Sequence, residues 1–228
     1  MVKFVTDLSS NTDASGKWLN QYQILRDIGR GSRSNVKLAR TRQGTTHAVK
    51  CFARIEMQNR MVAKYDADGC RLVPLRECIE EEIRILSELS HRHVVNLEEV
   101  IDCSSHDAVY MVYEGLPGKS LMAWSTGSLA YTASAEAAVQ DYWGDAVRPG
   151  LQYDLDAKRR EVLVFQEELV RFFCGQLSEG LDYLHEQGVI HKDLKPDNIV
   201  LSKPIPVCDP RFVSALSLRL ACSWEECG

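Results

Sequence analysis

The stretch His191-Lys-Asp-Leu-Lys-Pro-Asp-Asn198, followed by the apolar run Ile199-Val-Leu201, decides the fold. Before it, apolar residues recur at the spacing of a helix that packs on a core: Phe165, Leu169, Phe172 or Phe173, Leu177, Leu181 and Leu184. This helix is predicted to end at Gly188, because glycine adopts the left-handed cap conformation at little cost. Taken alone, the stretch is an ordinary polar loop after a core helix. The segments around it indicate whether it is more than that.

The amino-terminal half is predicted to form short strands and one helix. Strands are predicted at residues 22–28, 35–40 and 47–52, with a turn at 42–45, and again near 94–101 and 108–114. Pro74 can start a helix, since its missing N–H would be unpaired in the first turn anyway, and helical spacing of apolar residues continues to Leu89. Two segments, 54–73 and 122–160, have no convincing period and are interpreted as inserts.

The composition is that of a globular protein with enough apolar material for a core: 228 residues, 45% of them hydrophobic and 26% charged. The formal net charge of -5 gives no sign of the basic surface that nucleic-acid binding needs. No apolar run reaches membrane-spanning length, and residues 1–16 do not resemble a signal peptide. The eight cysteines lack metal-binding spacing. We therefore expect reduced thiols in the cytosol or nucleus, with neither nucleic acid nor a membrane as partner.

The 191–198 stretch resembles the catalytic loop of eukaryotic protein kinases, H-R-D-L-K-x-x-N, with Lys192 where arginine is usual. The resemblance implies that Asp193 accepts or orients the proton of an attacking hydroxyl. It implies that Lys195 neutralises charge on the transferring phosphoryl group and that Asn198 is a ligand of the second Mg²⁺. A lysine at position 195 is typical of Ser/Thr kinases rather than tyrosine kinases.

Upstream, Ile28-Gly-Arg-Gly-Ser-Arg-Ser-Asn-Val36 is similar to the glycine-rich loop of the same family, G-x-G-x-x-G-x-V, with Ser34 in place of the third glycine. Taken alone, this segment also fits an ordinary hairpin turn. It stands, however, just before His47-Ala-Val-Lys50, which resembles the V-A-I-K strand whose lysine binds the α- and β-phosphates. It is not a Walker A loop, because no G-K-[ST] follows it. The resemblance implies an ATP site that includes Ile28, Gly29, Gly31, Ser34, Val36, Ala48 and Lys50.

The helix after Pro74 is expected to supply a carboxylate that holds Lys50 in place. The candidates are Glu80, Glu81 and Glu82. We choose Glu82, because Glu82-Ile-Arg-Ile-Leu86 and the residues after it resemble the family's E-I-x-I-L segment and its continuation. The other two glutamates are then expected to lie on a solvated face of the helix.

The segment Val109-Tyr-Met-Val-Tyr-Glu114 resembles the strand that leads to the hinge between the two kinase lobes. In that resemblance Tyr113 takes the gatekeeper place, and Glu114 to Leu116 offer backbone hydrogen bonds to adenine. The segment is also similar, together with the long stretch between Lys50 and the helix, to calcium/calmodulin-dependent kinase kinases.

These resemblances imply an α+β fold, the bilobal protein-kinase fold, with a near-complete amino-terminal lobe and a truncated carboxy-terminal lobe. The small lobe is predicted at 22–116, with its insert near 54–73, and a partial large lobe at 117–201, with its insert near 122–160. Residues 1–20 are polar and predicted to be a flexible arm, and 202–228 an atypical tail. The implied function is transfer of the ATP γ-phosphate to Ser/Thr hydroxyls of proteins, with ATP and Mg²⁺ required.

After Leu201 the resemblance fails, because a kinase continues through a strand into D-F-G, whose aspartate holds Mg²⁺. Asp209 is the nearest match, but it comes early and Pro210-Arg211 replaces Phe-Gly. We therefore expect weak or no activity. A non-catalytic, pseudokinase-like module that binds nucleotide or a partner is the alternative function. The 165–184 helix is expected to lack its usual packing partners, so a regulatory partner that covers it is a further hypothesis.

Overall fold

The computed structural model describes residues 1–13, 16–31, 33–66, 69–115, 122–125, 130–133, 147–153, 159–165, 167–201, 218–220 and 225–226. The helices in these segments are α1 (Arg54–Asn59), α2 (Leu75–Glu88) and α3 (Glu167–Glu186), with a 3-10 turn at Pro196–Asn198. The strands are β1 (Lys3–Val5), β2 (Ser10–Asp13), β3 (Gly16–Leu19), β4 (Tyr22–Arg30), β5 (Asn35–Thr41), β6 (Thr46–Ala53), β7 (Met61–Asp66), β8 (Gly69–Pro74), β9 (Leu97–Asp102), β10 (Ala108–Glu114), β11 (Met122–Ser125), β12 (Ala130–Ala133), β13 (Val147–Tyr153), β14 (Arg159–Phe165), β15 (Val189–Ile190), β16 (Ile199–Leu201), β17 (Leu218–Leu220) and β18 (Glu225–Glu226). Among the described helices, none has the length and apolar character needed to span a membrane.

An eight-stranded sheet carries the amino-terminal half, in the order β1-β9-β10-β6-β5-β4-β3-β2. Its neighbours are antiparallel except β1 and β9. The strands predicted between residues 22 and 52 correspond to β4, β5 and β6. Alternation along β6 buries Phe52 in the main core, which includes α2, and Val49 in a smaller cluster. The sheet therefore joins two layers of apolar side chains and fixes the position of α2.

Residues 1–20 differ from the flexible arm predicted for them. β1 adds to the free edge of β9, and β2 with β3 extends the opposite edge beside β4. Trp18 and Leu19 are buried. Polar composition was misleading here because an existing sheet edge offers a row of unpaired backbone groups, so few apolar side chains are needed to order an added strand.

The segment 54–73 forms α1 and the β7–β8 hairpin. Met57 and Val73 are buried. A backbone hydrogen bond joins the two ends of the β7–β8 hairpin, since Leu75 N–H donates to the carbonyl oxygen of Arg60 at 2.8 Å. Lys64 in β7 pairs with Glu81 of α2 at 2.5 Å. The insert thus packs on the helix that follows it.

The two predicted long helices are present with small differences at their ends. α2 begins at Leu75 with Pro74 as its N-cap, and Leu89 is the C-cap. α3 begins at Glu167, so Phe165, which the apolar spacing assigned to the helix, is instead the last residue of β14. Gly188 has a φ of 71°, the left-handed conformation predicted after the helix.

The apolar stripe of α3 is packed rather than exposed, contrary to the expectation from sequence. Its buried or partly buried members are Phe172, Phe173, Leu177, Leu181 and Leu184. A Cβ on Gly180 would meet Leu220 Cδ1 at 3.1 Å and His93 Cβ at 3.2 Å, which shows how closely the chain covers this helix. These described members of the stripe therefore have packing partners within the chain, and a regulatory partner that covers the helix stays a prediction.

Two short strands of the tail pair with strands that flank the 191–198 loop, and Leu220 belongs to the main core. β17 pairs antiparallel with β16, and β18 with β15. Leu220, which is fully buried, donates its N–H to the carbonyl oxygen of His93 at 2.8 Å and accepts from Val95 N–H at 2.9 Å. The prediction that 202–228 is atypical overlooked these pairings, because a three-residue strand has no local pattern that names its partner.

Candidate active site

The β4–β5 turn carries the predicted phosphate-binding residues. Gly29 pairs with Val36, and Gly31 N–H donates to the carbonyl oxygen of Ser34 at 2.8 Å. Ile28, at the start of the turn, is exposed. A Cβ placed on Gly29 would meet Val36 Cβ at 3.6 Å, an ordinary contact. Protein packing therefore does not require glycine at this position.

Three neighbouring strands align the other predicted nucleotide-binding residues. Val36 lies opposite Lys50, and Lys50 lies opposite Met111 in β10. Ala48 lies opposite Tyr113. Opposite residues of antiparallel strands share a face, as do residues two apart in one strand. Val36, Ala48 and Lys50 therefore lie on one surface of the sheet.

Lys50 is held by a carboxylate from α2. Its Nζ lies 2.6 Å from Glu82 Oε1, and the side chains are 21% and 9% exposed. The Tyr113 hydroxyl donates to the same oxygen at 3.4 Å, and the ammonium lies 5.1 Å from the centre of the Phe52 ring. The ammonium group of Lys50 is thus held in position by residues of three elements, β6, α2 and β10.

Of the other two candidate glutamates, Glu80 lies on the solvated face predicted for both, whereas the prediction is wrong for Glu81, whose side chain is only 20% exposed because the insert covers it. Glu80 pairs with Arg76 at 2.7 Å on the exposed side of α2, and Glu81 pairs with Lys64 of the insert. Consecutive helical residues point about 100° apart, so only one of three in a row can face the sheet. Glu82 is the one that does so.

The end of β10 is fixed by the side chain of its last residue. Glu114 Oε1 accepts hydrogen bonds from Asn96 N at 2.8 Å and Asn96 Nδ2 at 3.0 Å, and Glu114 N–H donates to the Asn96 carbonyl oxygen at 3.0 Å. Arg219 Nε lies 3.6 Å from the same carboxylate oxygen. The predicted hinge is therefore held from two sides, by the residue before β9 and by β17.

The next residue, Gly115, is pressed against β6. A Cβ there would lie 1.7 Å from the Thr46 carbonyl oxygen and 2.3 Å from its carbonyl carbon, so only glycine fits. Leu116, also predicted to bind adenine, lies outside the described residues.

In the 191–198 loop, three predicted catalytic side chains meet. Lys195 Nζ donates to Asp193 Oδ2 at 2.8 Å and to Oδ1 at 3.0 Å. Asn198 Nδ2 donates to the Asp193 carbonyl oxygen at 2.8 Å and to Oδ2 at 2.9 Å. Because its nitrogen faces Asp193, the amide oxygen is the atom of Asn198 with which it could ligate a metal. Asp193 and Lys195 are 45% and 42% exposed, within reach of a substrate.

His191 anchors the start of this loop. It is buried, and burial lowers the pKa of its imidazole, an effect that the charge of Asp193 opposes in part. The ring accepts a hydrogen bond at Nδ1 from Asp193 N–H at 3.4 Å, beside the 2.7 Å bond from that N–H to the His191 carbonyl oxygen. Lys192 has a φ of 54°, unusual for a lysine. The backbone is thus bent sharply at the point where Asp193 is presented.

The described residues contain no group of three His, Cys, Asp or Glu side chains arranged to hold a metal ion. Asp209 lies outside the described residues. Directly after β17 the sequence reads Ala221-Cys-Ser-Trp224, without a carboxylate. Within the described part of the loop, the amide oxygen of Asn198 is an atom that could bind Mg²⁺, and residues 221–224 do not contain the aspartate of a D-F-G.

Comparison with known proteins identifies the family. A family model described as "Protein kinase domain" matches residues 22–217. This range includes the Lys50 cluster (Lys50 with Glu82) and the Asp193 cluster (Asp193 with Lys195 and Asn198). The chain belongs to the protein kinase domain family. This kinase domain is 30% identical over 187 residues to Serine/threonine-protein kinase ssp1 of Schizosaccharomyces pombe, across 82% of the chain and 22% of that protein. It is 31% identical to SNF1-activating kinase 1 of Saccharomyces cerevisiae, across 82% of the chain and 14% of that protein.

A third relative is the Calcium/calmodulin-dependent protein kinase kinase of Caenorhabditis elegans, 27% identical over 210 residues, across 88% of the chain and 32% of that protein. The resemblance to Ser/Thr kinases, and to kinase kinases among them, is thereby confirmed. The kinase domain described here spans less than a third of the length of each of these three relatives.

Two contacts around the site were not predicted from the sequence. Gly115 lies within the predicted adenine-binding segment 114–116, but its close approach to Thr46 was not predicted, although a glycine beside a strand often marks close approach of backbone. Arg219 gave no signal, since its partner Glu114 is distant in sequence and ion pairs are not encoded by local patterns.

Proposed function

We propose that this kinase domain transfers the γ-phosphate of ATP to serine or threonine hydroxyls of proteins. The observation that carries the proposal is the loop in which Lys195 and Asn198 both donate to the carboxylate of Asp193. The Lys50–Glu82 pair supports it from the nucleotide side. Family membership and the Ser/Thr kinase relatives support the same reaction class.

Each side chain has a defined task in this proposal. The carboxylate of Asp193 orients the acceptor hydroxyl and takes its proton. Lys195 shifts from Asp193 toward the transferring phosphoryl group and neutralises the charge that develops there. Lys50, kept in place by Glu82, binds the α- and β-phosphates, and Gly29 and Gly31 admit them to the backbone. Mg²⁺ supplies positive charge at the phosphates when bound, and Asn198 is the ligand we assign to it.

The backbone of Glu114 and Leu116 is proposed to bind adenine, and the side chains of Ile28, Ser34, Val36 and Ala48 to complete the nucleotide site. Val36 and Ala48 support this proposal because they share the sheet face of Lys50. The five described free cysteines fit the reducing cytosol or nucleus that we propose as the location.

We expect the rate to be low. Phosphoryl transfer depends on positioning and on the electrostatic contribution of metal ions, and residues 221–224, directly after β17, contain no carboxylate to hold them. Such a domain would bind ATP and transfer phosphate slowly, at a rate limited by how well Mg²⁺ is held.

The test is Mg²⁺-dependent transfer of labelled phosphate from ATP to a protein. Two relatives are named for action on other kinases, so a catalytically dead protein kinase is the first substrate to offer, beside a generic protein. We expect transfer above background that falls by about 100-fold or more in Asp193→Asn, since a positioned base contributes that much. Arg171→Leu, on the exposed surface of α3, is the matched control. ATP binding without transfer in the unmodified chain would contradict the proposal and favour the non-catalytic module.

A further inference from the structure

Arg219 stands at a junction between the two clusters of the site. It is the central residue of β17, where it lies opposite Val200, two residues after Asn198. The neighbouring Leu220 is bonded through its backbone to His93 and Val95, in the connection between α2 and β9. The backbone of Arg219 is therefore fixed both to the strand after the 191–198 loop and to the small-lobe side of the molecule.

The guanidinium of Arg219 reaches the end of β10. Nε lies 3.6 Å from Glu114 Oε1, and Nη1 donates to the carbonyl oxygen of His91 at 3.3 Å. The two charged side chains are only 17% and 18% exposed, so their attraction is less weakened by water than that of a surface pair. Asn96 donates twice to the same carboxylate oxygen. One oxygen of Glu114 thus lies close to the cation of Arg219 in β17 and accepts two hydrogen bonds from Asn96, which precedes β9.

This arrangement controls the backbone that follows. Glu114 is bonded to Asn96 through its own N–H, and Gly115 is in tight contact with Thr46. A displacement of the Glu114 side chain would therefore move the peptide groups that the proposed function assigns to adenine. We propose that Arg219 is a positioning residue for the adenine-binding end of β10, acting through the carboxylate of Glu114. The inference rests on the proposed nucleotide site and extends it to the carboxyl-terminal strand.

The test separates adenine binding from phosphate binding. Dissociation constants are measured by calorimetry for Mg²⁺-ATP and for Mg²⁺-tripolyphosphate, which lacks the adenosine. For Arg219→Leu we expect ATP to bind about three- to tenfold more weakly, the size of effect expected for loss of one partly buried ion pair. The affinity for tripolyphosphate should stay within about twofold of the wild-type value. Arg219→Lys should recover part of the ATP affinity, and Arg171→Leu, an exposed arginine of α3, should change neither constant.

Glu114→Gln gives an independent measure that does not alter β17. It keeps an oxygen for Asn96 and removes the charge, so we expect a similar loss of ATP affinity and little further loss in the double variant. Equal ATP affinity in the wild type and in either single variant would overturn the proposal, as would parallel weakening of ATP and tripolyphosphate. A wild-type chain that binds no ATP would overturn the proposed function itself, which distinguishes the two failures.

Discussion

Replacement of Lys50 by methionine is expected to weaken ATP binding by about 100-fold, the equivalent of one or two charged hydrogen bonds. Methionine retains an apolar stem beside Phe52 but removes the ammonium that pairs with Glu82. Because Glu82 stays buried without its cation, the free energy of unfolding should also fall by about 2–3 kcal/mol. Calorimetric titration with Mg²⁺-ATP and urea denaturation measure the two effects.

The control for this variant is Arg76→Met in α2. Arg76 and Glu80 form an exposed pair on the same helix, so its loss should change stability by less than about 0.5 kcal/mol and leave ATP affinity unaltered. If Lys50→Met bound ATP as the wild type does, Lys50 would not be part of the nucleotide site.

Alanine at position 115 is expected to lower the free energy of unfolding by about 3 kcal/mol or more and to abolish ATP binding. The added Cβ would lie 1.7 Å from the carbonyl oxygen of Thr46, so backbone must move, and β10 would shift relative to β6. Chemical denaturation gives the stability change, and ATP titration of the remaining folded protein gives the loss of binding.

Gly175→Ala is the matched glycine substitution. Gly175 lies within α3 with nothing within 4 Å of an added Cβ, so alanine should stabilise the protein by up to about 1 kcal/mol through its higher helix propensity. We therefore expect the free energy of unfolding to fall in Gly115→Ala and to rise in Gly175→Ala. A change of less than about 1 kcal/mol for Gly115→Ala would contradict the close packing of the hinge against β6.

The parts of the fold that sequence predicts well are those with a local pattern. Apolar spacing locates α2 and α3 to within about two residues at most of their ends, because a helix that packs on a core must repeat its apolar side chains. Motif order indicates that Lys50 and Glu82 should meet, although no local pattern excludes Glu81. The structure identifies Glu82 as the partner of Lys50, because it is the glutamate that faces the sheet.

The parts that sequence does not predict depend on partners far along the chain. β1 is ordered by the edge of β9, and β17 by β16 and the residues around His93. A three-residue strand has too few side chains to show a period, and backbone hydrogen bonds to distant segments leave no mark on composition. The contact of Arg219 with Glu114 belongs to the same class.

The most direct test of the central idea, that the Lys50 and Asp193 clusters form one nucleotide site, is labelling with an acyl phosphate of ATP, which transfers its acyl group to lysine amines beside bound phosphates. Peptide mapping by mass spectrometry then locates the label. We predict acylation of Lys50 and Lys195, prevented by excess Mg²⁺-ATP. Label distributed over surface lysines such as Lys17, or not reduced by ATP, would contradict the account.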